Sequence, residues 1–198
     1  GRATLLPGFW ARRGESHWLL ARLADGQHVL LCAGPDGNAP APAICNLQSA
    51  TPNPLTVHPA TAAAVEWFVR HCHPERGPRA LGPVPRLGIG TRMSAAVWPG
   101  MWPALERLGI AANAIQNSVR ELNLLDDLVA GRPARGNYMF GFGTLYEGHT
   151  GSTFEGLWLA GVLSALAAGF RGPFGADADH IMVKRGPDGL ERARRVVE

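Results

Sequence analysis

The segment Phe174-Gly-Ala-Asp-Ala-Asp-His180 sets two carboxylates and an imidazole beside each other with only alanine between the acids. In an extended chain, side chains repeat every two residues, so Asp177 and Asp179 share a face. A bend or bulge at the strand end would turn His180 to the same side. Charged groups inside a buried strand cost free energy unless they are paired or bind a metal. Asp and His at a strand end therefore suit a divalent metal cation beside a proton acceptor. The same residues also fit a strand-end turn with two solvated aspartates and a packed histidine, and spacing alone does not separate the two.

A second stretch, Gln116-Asn-Ser-Val-Arg-Glu121, ends another apolar run. Gln116, Ser118, Arg120 and Glu121 can hydrogen-bond a polyhydroxylated anion, and Arg120 can clasp a carboxylate through two parallel hydrogen bonds. Ser118 and Glu121 also read as a helix N-cap and its capping-box partner, and both readings can hold together. His71-Cys72-His73 looks like a metal cluster, but neighbouring residues on a helix point in different directions and do not easily share one ion. His149 falls in a glycine-rich loop and reads as solvated. Gly-x-Ser-x-Gly and the P-loop are both absent. Gly88-Ile-Gly90 is followed by Met93 where a dinucleotide fingerprint needs glycine, and Gly141-Phe-Gly143 lies in a loop.

These groups need a frame. Ser16 to Leu23 and His28 to Cys32 flank Asp25-Gly26 and read as a hairpin. Residues 34–59 are rich in Pro, Gly and Asn and read as mostly loop. Thr61 to Cys72 reads as a helix with Val65, Phe68, Val69 and Cys72 on one stripe, closed by Pro74. Leu87 to Thr91 is a short strand candidate. Ser94 starts a helix, interrupted by Pro99 and Pro103, that ends at Leu108 before Gly109. Ile110 to Gln116 is a strand candidate and Ser118 to Val129 a helix. Residues 132–151 read as a long loop. Ser152 and Glu155 cap a helix that is apolar nearly all round (Phe154, Leu157, Trp158, Val162, Leu163, Leu166) and stops at Gly169. The strand Phe174 to His180 follows, then a basic helix from Asp188. This alternation predicts an α/β fold with a parallel sheet, best as a partial TIM-like (β/α) barrel truncated at the C-terminus. A doubly wound sheet is the runner-up. The texture changes at Arg86, which predicts an N-terminal α+β portion with a small β-hairpin over 1–85 and the first part of the barrel over 86–198.

Composition narrows the class. Of 198 residues, 46% are hydrophobic and 18% charged, which suits a globular core. The net charge of +3 comes from scattered arginines without interleaved aromatics, which argues against nucleic acid as a partner. Arg192, Arg194 and Arg195 read as the solvated face of a helix. Cys32, Cys45 and Cys72 are too few and too irregular for a disulfide framework, which predicts a cytoplasmic setting. The longest uncharged apolar stretch, Gly156 to Phe170, is too short to cross a bilayer, so no membrane partner is expected. The N-terminus lacks the features of a signal peptide. Both ends read as cut, which predicts a piece of a longer protein. The sequence is silent on oligomeric state.

Residues 86–198 resemble the tagaturonate epimerase family, bacterial enzymes of hexuronate catabolism. The resemblance lies in Arg86-Leu-Gly-Ile-Gly-Thr91, Gln116-Asn-Ser-Val-Arg-Glu121 and Phe174-Gly-Ala-Asp-Ala-Asp-His180, with Lys184 after it. Residues 1–85 resemble the family's N-terminal part more loosely, and the insertion at 132–151 departs from it. The resemblance implies a barrel-like scaffold, a divalent metal cation and interconversion of D-tagaturonate and D-fructuronate. It implies that Asp179 is the proton acceptor and His180 a metal ligand, with the remaining histidines and the proton donor beyond Glu198. Arg120 and Lys184 favour an acid over a neutral ketose as the small-molecule partner. An epimerase or aldolase of fructose or tagatose, and a non-catalytic sugar-binding relative, are the competing readings. The inverted carbon lies β to the ketone, so enolisation cannot invert it, and without a nicotinamide fingerprint the favoured route is retro-aldol cleavage and re-addition. A metal would serve that route as a Lewis acid.

Overall fold

A computed structural model of the chain describes residues 3–35, 45–47, 55–89, 94–117, 137–139, 143–145, 154–178 and 186–197. The first part is an antiparallel sheet of five strands: β1 (Ala3–Arg13), β2 (Ser16–Leu23), β3 (His28–Ala33), β4 (Cys45–Leu47) and β5 (Leu55–Pro59), in the spatial order β1-β2-β3-β5-β4. The expected hairpin is β2–β3. Gly26 supplies the positive φ of +89° at its turn, and the Asp25 carboxylate accepts from the Gln27 amide.

The remaining strands correct the reading of a small hairpin followed by loop. β5 was hidden by its polarity. Its polar members Thr56 and His58 are the buried ones, while Leu55 and Val57 are half-exposed. The alternation is present but inverted, with His58 facing the Trp18 ring at 5.7 Å between centroids.

Helix α1 (Ala62–Cys72) follows, with Thr61 as its N-cap: Oγ1 accepts from the Ala64 amide at 3.2 Å. Ala64, Val65, Phe68 and Val69 are buried against the first sheet. A 3₁₀ turn (Pro74–Arg76) leads into a loop whose Arg79 amide donates to the Phe174 carbonyl at 3.1 Å.

The second part is a parallel sheet of three strands, β6 (Arg86–Gly88), β7 (Ala111–Asn117) and β10 (Phe174–Ala178), in the order β10-β7-β6. Parallel neighbours need crossover connections. Helix α2 (Ser94–Leu108) connects β6 to β7, and helix α3 (Phe154–Ala167) precedes β10. Contrary to the expected interruption, α2 runs through Pro99 and Pro103. Both prolines are exposed, while Trp98, Met101, Trp102 and Leu105 are buried. Burying each such side chain contributes about 1.5–3 kcal/mol, which together offsets the roughly 3 kcal/mol that each interior proline costs. The expected long loop contains a short antiparallel pair, β8 (Asn137–Met139) with β9 (Gly143–Leu145). Helix α4 (Gly189–Val197) closes the described chain. One apolar core joins the two sheets through Phe9, Phe68, Trp98, Trp102, Leu166 and Phe174.

Candidate functional site

The parallel sheet has two unlike faces, and an irregularity in β7 makes them so. Gly175 pairs with Asn113 and Ala176 pairs with Ile115, leaving Ala114 without a partner on β10. This extra residue is a bulge, which is rare in parallel pairs. It reverses the alternation after Asn113. The Ala114 carbonyl is instead met by the buried Trp98 indole, whose Nε1 donates to it at 2.9 Å. Beyond the bulge, Ile115 turns to the helices and packs on Gly161 of α3, where a methyl would lie 2.5 Å from Ile115 Cδ1. Gln116 turns to the opposite face and pairs with Asp177.

Asn113, Gln116 and Asp177 thus share the face away from the helices. Asn113 Nδ2 donates to Asp177 Oδ2 at 2.7 Å. Neighbouring glycines make this reach possible. A methyl on Gly175 would lie 2.5 Å from Asn113 Oδ1, and Gly88, opposite Asn113 on β6, has only Gln116 Nε2 near it at 3.9 Å. A cleft of about 660 Å³ opens on this face. Its floor includes Arg86, Asn113, Gly175 and Asp177, and its wall is the 78–82 loop, with Ala176 and Trp158 at the edge. The Arg79 guanidinium is held in that wall by the Glu75 and Gly77 carbonyls, at 2.9 and 3.4 Å. A second cleft, of about 610 Å³, lies between α1 and α3 and is lined by Glu66, Arg70, Glu155 and Trp158 among others.

Of the residues singled out in the sequence, Gln116 lies on this face, next to Asp177 across the strands. Ser118, Arg120, Glu121, Asp179, His180 and Lys184 lie outside the described residues. The strand that would deliver Asp179 and His180 is in place as far as Ala178. Among the described residues no group of three or more His, Cys, Asp or Glu could hold a metal ion. Asp177 is a hard-oxygen donor in the cleft, with one oxygen already engaged by Asn113. That does not make a metal centre by itself. Asn113 and the two glycines were missed in the sequence. The available signal was an asparagine, a residue depleted in strands, inside the apolar run Ala-Ala-Asn-Ala-Ile.

The histidines around Cys72 have other work. His71 Nδ1 meets the Trp67 carbonyl at 2.9 Å, and the His73 ring stands edge-on to Phe9 and Phe68. Burial pushes the Cys72 thiol up to about 11, with the nearby Cys32 adding to it and Arg13 opposing. A thiol held protonated is a poor ligand, because thiolate is the binding form.

No family model matches the chain and no curated protein matches it. Solved structures do. The native fructuronate-tagaturonate epimerase UxaE from Cohnella laeviribosi matches 93% of this chain at a TM-score of 0.54 and 16% identity. Its complex with one glycerol matches 96% at a TM-score of 0.55 and 14% identity, and its complex with two glycerols matches 98% at 0.56 and 15%. The chain spans about a third of the length of those proteins (31–32%). At these identities the likeness is one of fold: the chain has a mixed α/β architecture similar to part of the fructuronate-tagaturonate epimerase structure.

Proposed function

We propose that this chain is part of a carbohydrate epimerase acting on a small sugar acid, interconverting D-tagaturonate and D-fructuronate. The observation that carries the reading is the polar face of the parallel sheet. Asn113, Gln116 and Asp177 gather there, on strands whose C-terminal ends lead directly to Ser118–Glu121 and to Asp179-His180. In α/β barrels the C-terminal strand ends carry the chemistry. The fold likeness to an epimerase, two of whose structures hold the polyol glycerol, supports the same reading.

In this proposal residues 86–198 form the start of a (β/α) barrel that bears the site, and residues 1–85 support it from the side, in a cytoplasmic enzyme. Asp179 takes the proton of the hydroxyl on the carbon to be inverted. The bond from that carbon to its neighbour α to the ketone breaks, leaving an aldehyde on one fragment and an enediolate on the other. The aldehyde turns over, the bond re-forms on its other face, and the proton returns to the oxygen. Gln116, Ser118, Arg120, Glu121 and Lys184 hold the hydroxyls and the carboxylate. The proposal keeps a divalent cation with His180 as a ligand, and when bound the cation supplies Lewis-acid stabilisation of developing negative charge.

The test follows conversion of tagaturonate by the full-length protein. Asp179→Asn keeps size and shape but removes the base, so turnover drops on the order of 100-fold or more. His180→Ala lowers bound divalent metal and activity together, read by elemental analysis of the purified variant. Normal turnover in Asp179→Asn together with unchanged metal in His180→Ala would overturn the proposal.

A further inference from the structure

A barrel interior is ordinarily filled by bulky Val, Ile and Leu side chains. The corresponding face here carries Arg86, Gly88, Asn113, Gln116, Gly175 and Asp177. The large apolar groups Ile115 and Phe174 lie on the other face, buried at 3% and 0% exposure. Such a face is built to be wet or liganded. Its centre is a strip one residue deep, Gly88–Asn113–Gly175, in cross-strand register. Glycine in a strand marks a place where something approaches the backbone closely. At Gly175 that something is in part the Asn113 side chain, lying where a methyl would be.

We propose that this strip is the floor of a polyol-reading subsite, in which the Asn113 amide and the Asp177 carboxylate act as one joined pair on neighbouring hydroxyls of a sugar acid. The inference rests on the sugar-acid reading of the sheet and names what recognises the hydroxyls. Asn113 spends one amide hydrogen on Asp177 Oδ2, and among the described residues its other amide hydrogen is left to donate and Asp177 Oδ1 to accept. A hydroxylated carbon chain presents donors and acceptors side by side, which suits a fixed amide–carboxylate couple. Arg86 stands two residues before Gly88 on the same strand face, about 6.6 Å towards the N-terminal end of the strand, and lines the same cleft, where its positive charge favours an anionic ligand over a neutral one. Gly175 is the positioning residue of the set, since any side chain there displaces the Asn113 amide.

The experiment is calorimetric titration of the full-length protein with D-fructuronate, D-gluconate and the neutral polyol D-glucitol. Asn113→Ala and Gly175→Ala, made on opposite strands, should each weaken binding of both acids about tenfold or more, as expected for losing a charge-assisted contact. The double variant should be no weaker than the worse single one, because both break the same contact. Arg86→Gln should weaken the acids and leave glucitol unchanged. Variants that melt like the wild type and bind all three probes unchanged overturn the inference while leaving the epimerase reading standing. An additive double variant overturns the shared contact. A wild-type protein that binds none of the three probes sinks the sugar-acid reading and the subsite with it.

Discussion

At the scale of single residues, Asp177 and Asp179 carry different expectations although they sit two positions apart. Asp177 is fastened to Asn113 in the cleft, and in the proposed subsite it holds substrate. A contact made equally in ground and transition states affects KM and spares kcat. Asp177→Asn should therefore raise the KM for tagaturonate about tenfold with kcat little changed, whereas Asp179→Asn should lower kcat. Steady-state kinetics separate the two, and a collapse of kcat confined to the Asp177 variant would exchange their roles. The acids of this motif were legible in the sequence because charge inside an extended apolar segment is conspicuous. Asn113 was not, because its importance comes from Asp177 and Gly175, which are more than sixty positions away (|i−j| of 64 for the hydrogen-bonded pair).

At the scale of elements, the bulge in β7 decides which side chains lie on the polar face of the sheet. Without it, Ile115 would share the face of Asn113 and Gln116 would turn towards the helices. The Trp98 indole is fitted to the bulge, donating to the carbonyl of its extra residue. Trp98→Phe keeps the ring and removes the donor. A buried carbonyl left without a partner costs about 1–3 kcal/mol, so the midpoint of chemical unfolding should fall accordingly. A Trp98→Phe variant as stable as the wild type would show that the bulge holds without its cap. Helix α1, strand β7 and the β2–β3 hairpin were readable from local pattern: a 3.6-residue stripe, an apolar run and Asp-Gly between apolar segments. The bulge was not, since a bulge exists only relative to the partner strand. Strand β5 was lost for a related reason: the residues it buries, Thr56 and His58, look like surface residues until Trp18 and the rest of the core are set against them.

At the scale of the whole molecule, stability should depend on pH through the antiparallel sheet and its border with α1. Burial holds His28 below its usual 6.5, with Arg22 adding to the effect. Burial also holds His73 below 6.5, with Arg76 adding and Glu75 opposing. His73 Nε2 is buried without a hydrogen-bond partner among the described residues. With both folded values lowered, the unfolded chain binds more protons than the folded one as pH drops below about 6.5, so stability falls with acidification. The melting temperature should be lower at pH 5 than at pH 7, and His73→Phe, which keeps a ring between Phe9 and Phe68, should reduce that difference. An undiminished difference would assign the pH dependence elsewhere. Among the described residues no helix is long and apolar enough to cross a membrane, consistent with the short apolar run from Gly156 to Phe170.

The sequence by itself determined the alternation of β6, α2, β7, α3, β10 and α4 after Arg86 and the parallel sense of the sheet that this alternation requires. Those are matters of local composition and period, and each can be read within a window of about ten residues. Only the tertiary structure decided that the first part is a sheet of five strands, that α2 continues through two prolines, and that Asn113 reaches Asp177 across Gly175. Each of these depends on a partner distant in the chain: edges that pair, a core that offsets the cost of proline, and a missing side chain on the neighbouring strand. Burial and register are properties of pairs, and a single stretch of sequence states only one member of each pair.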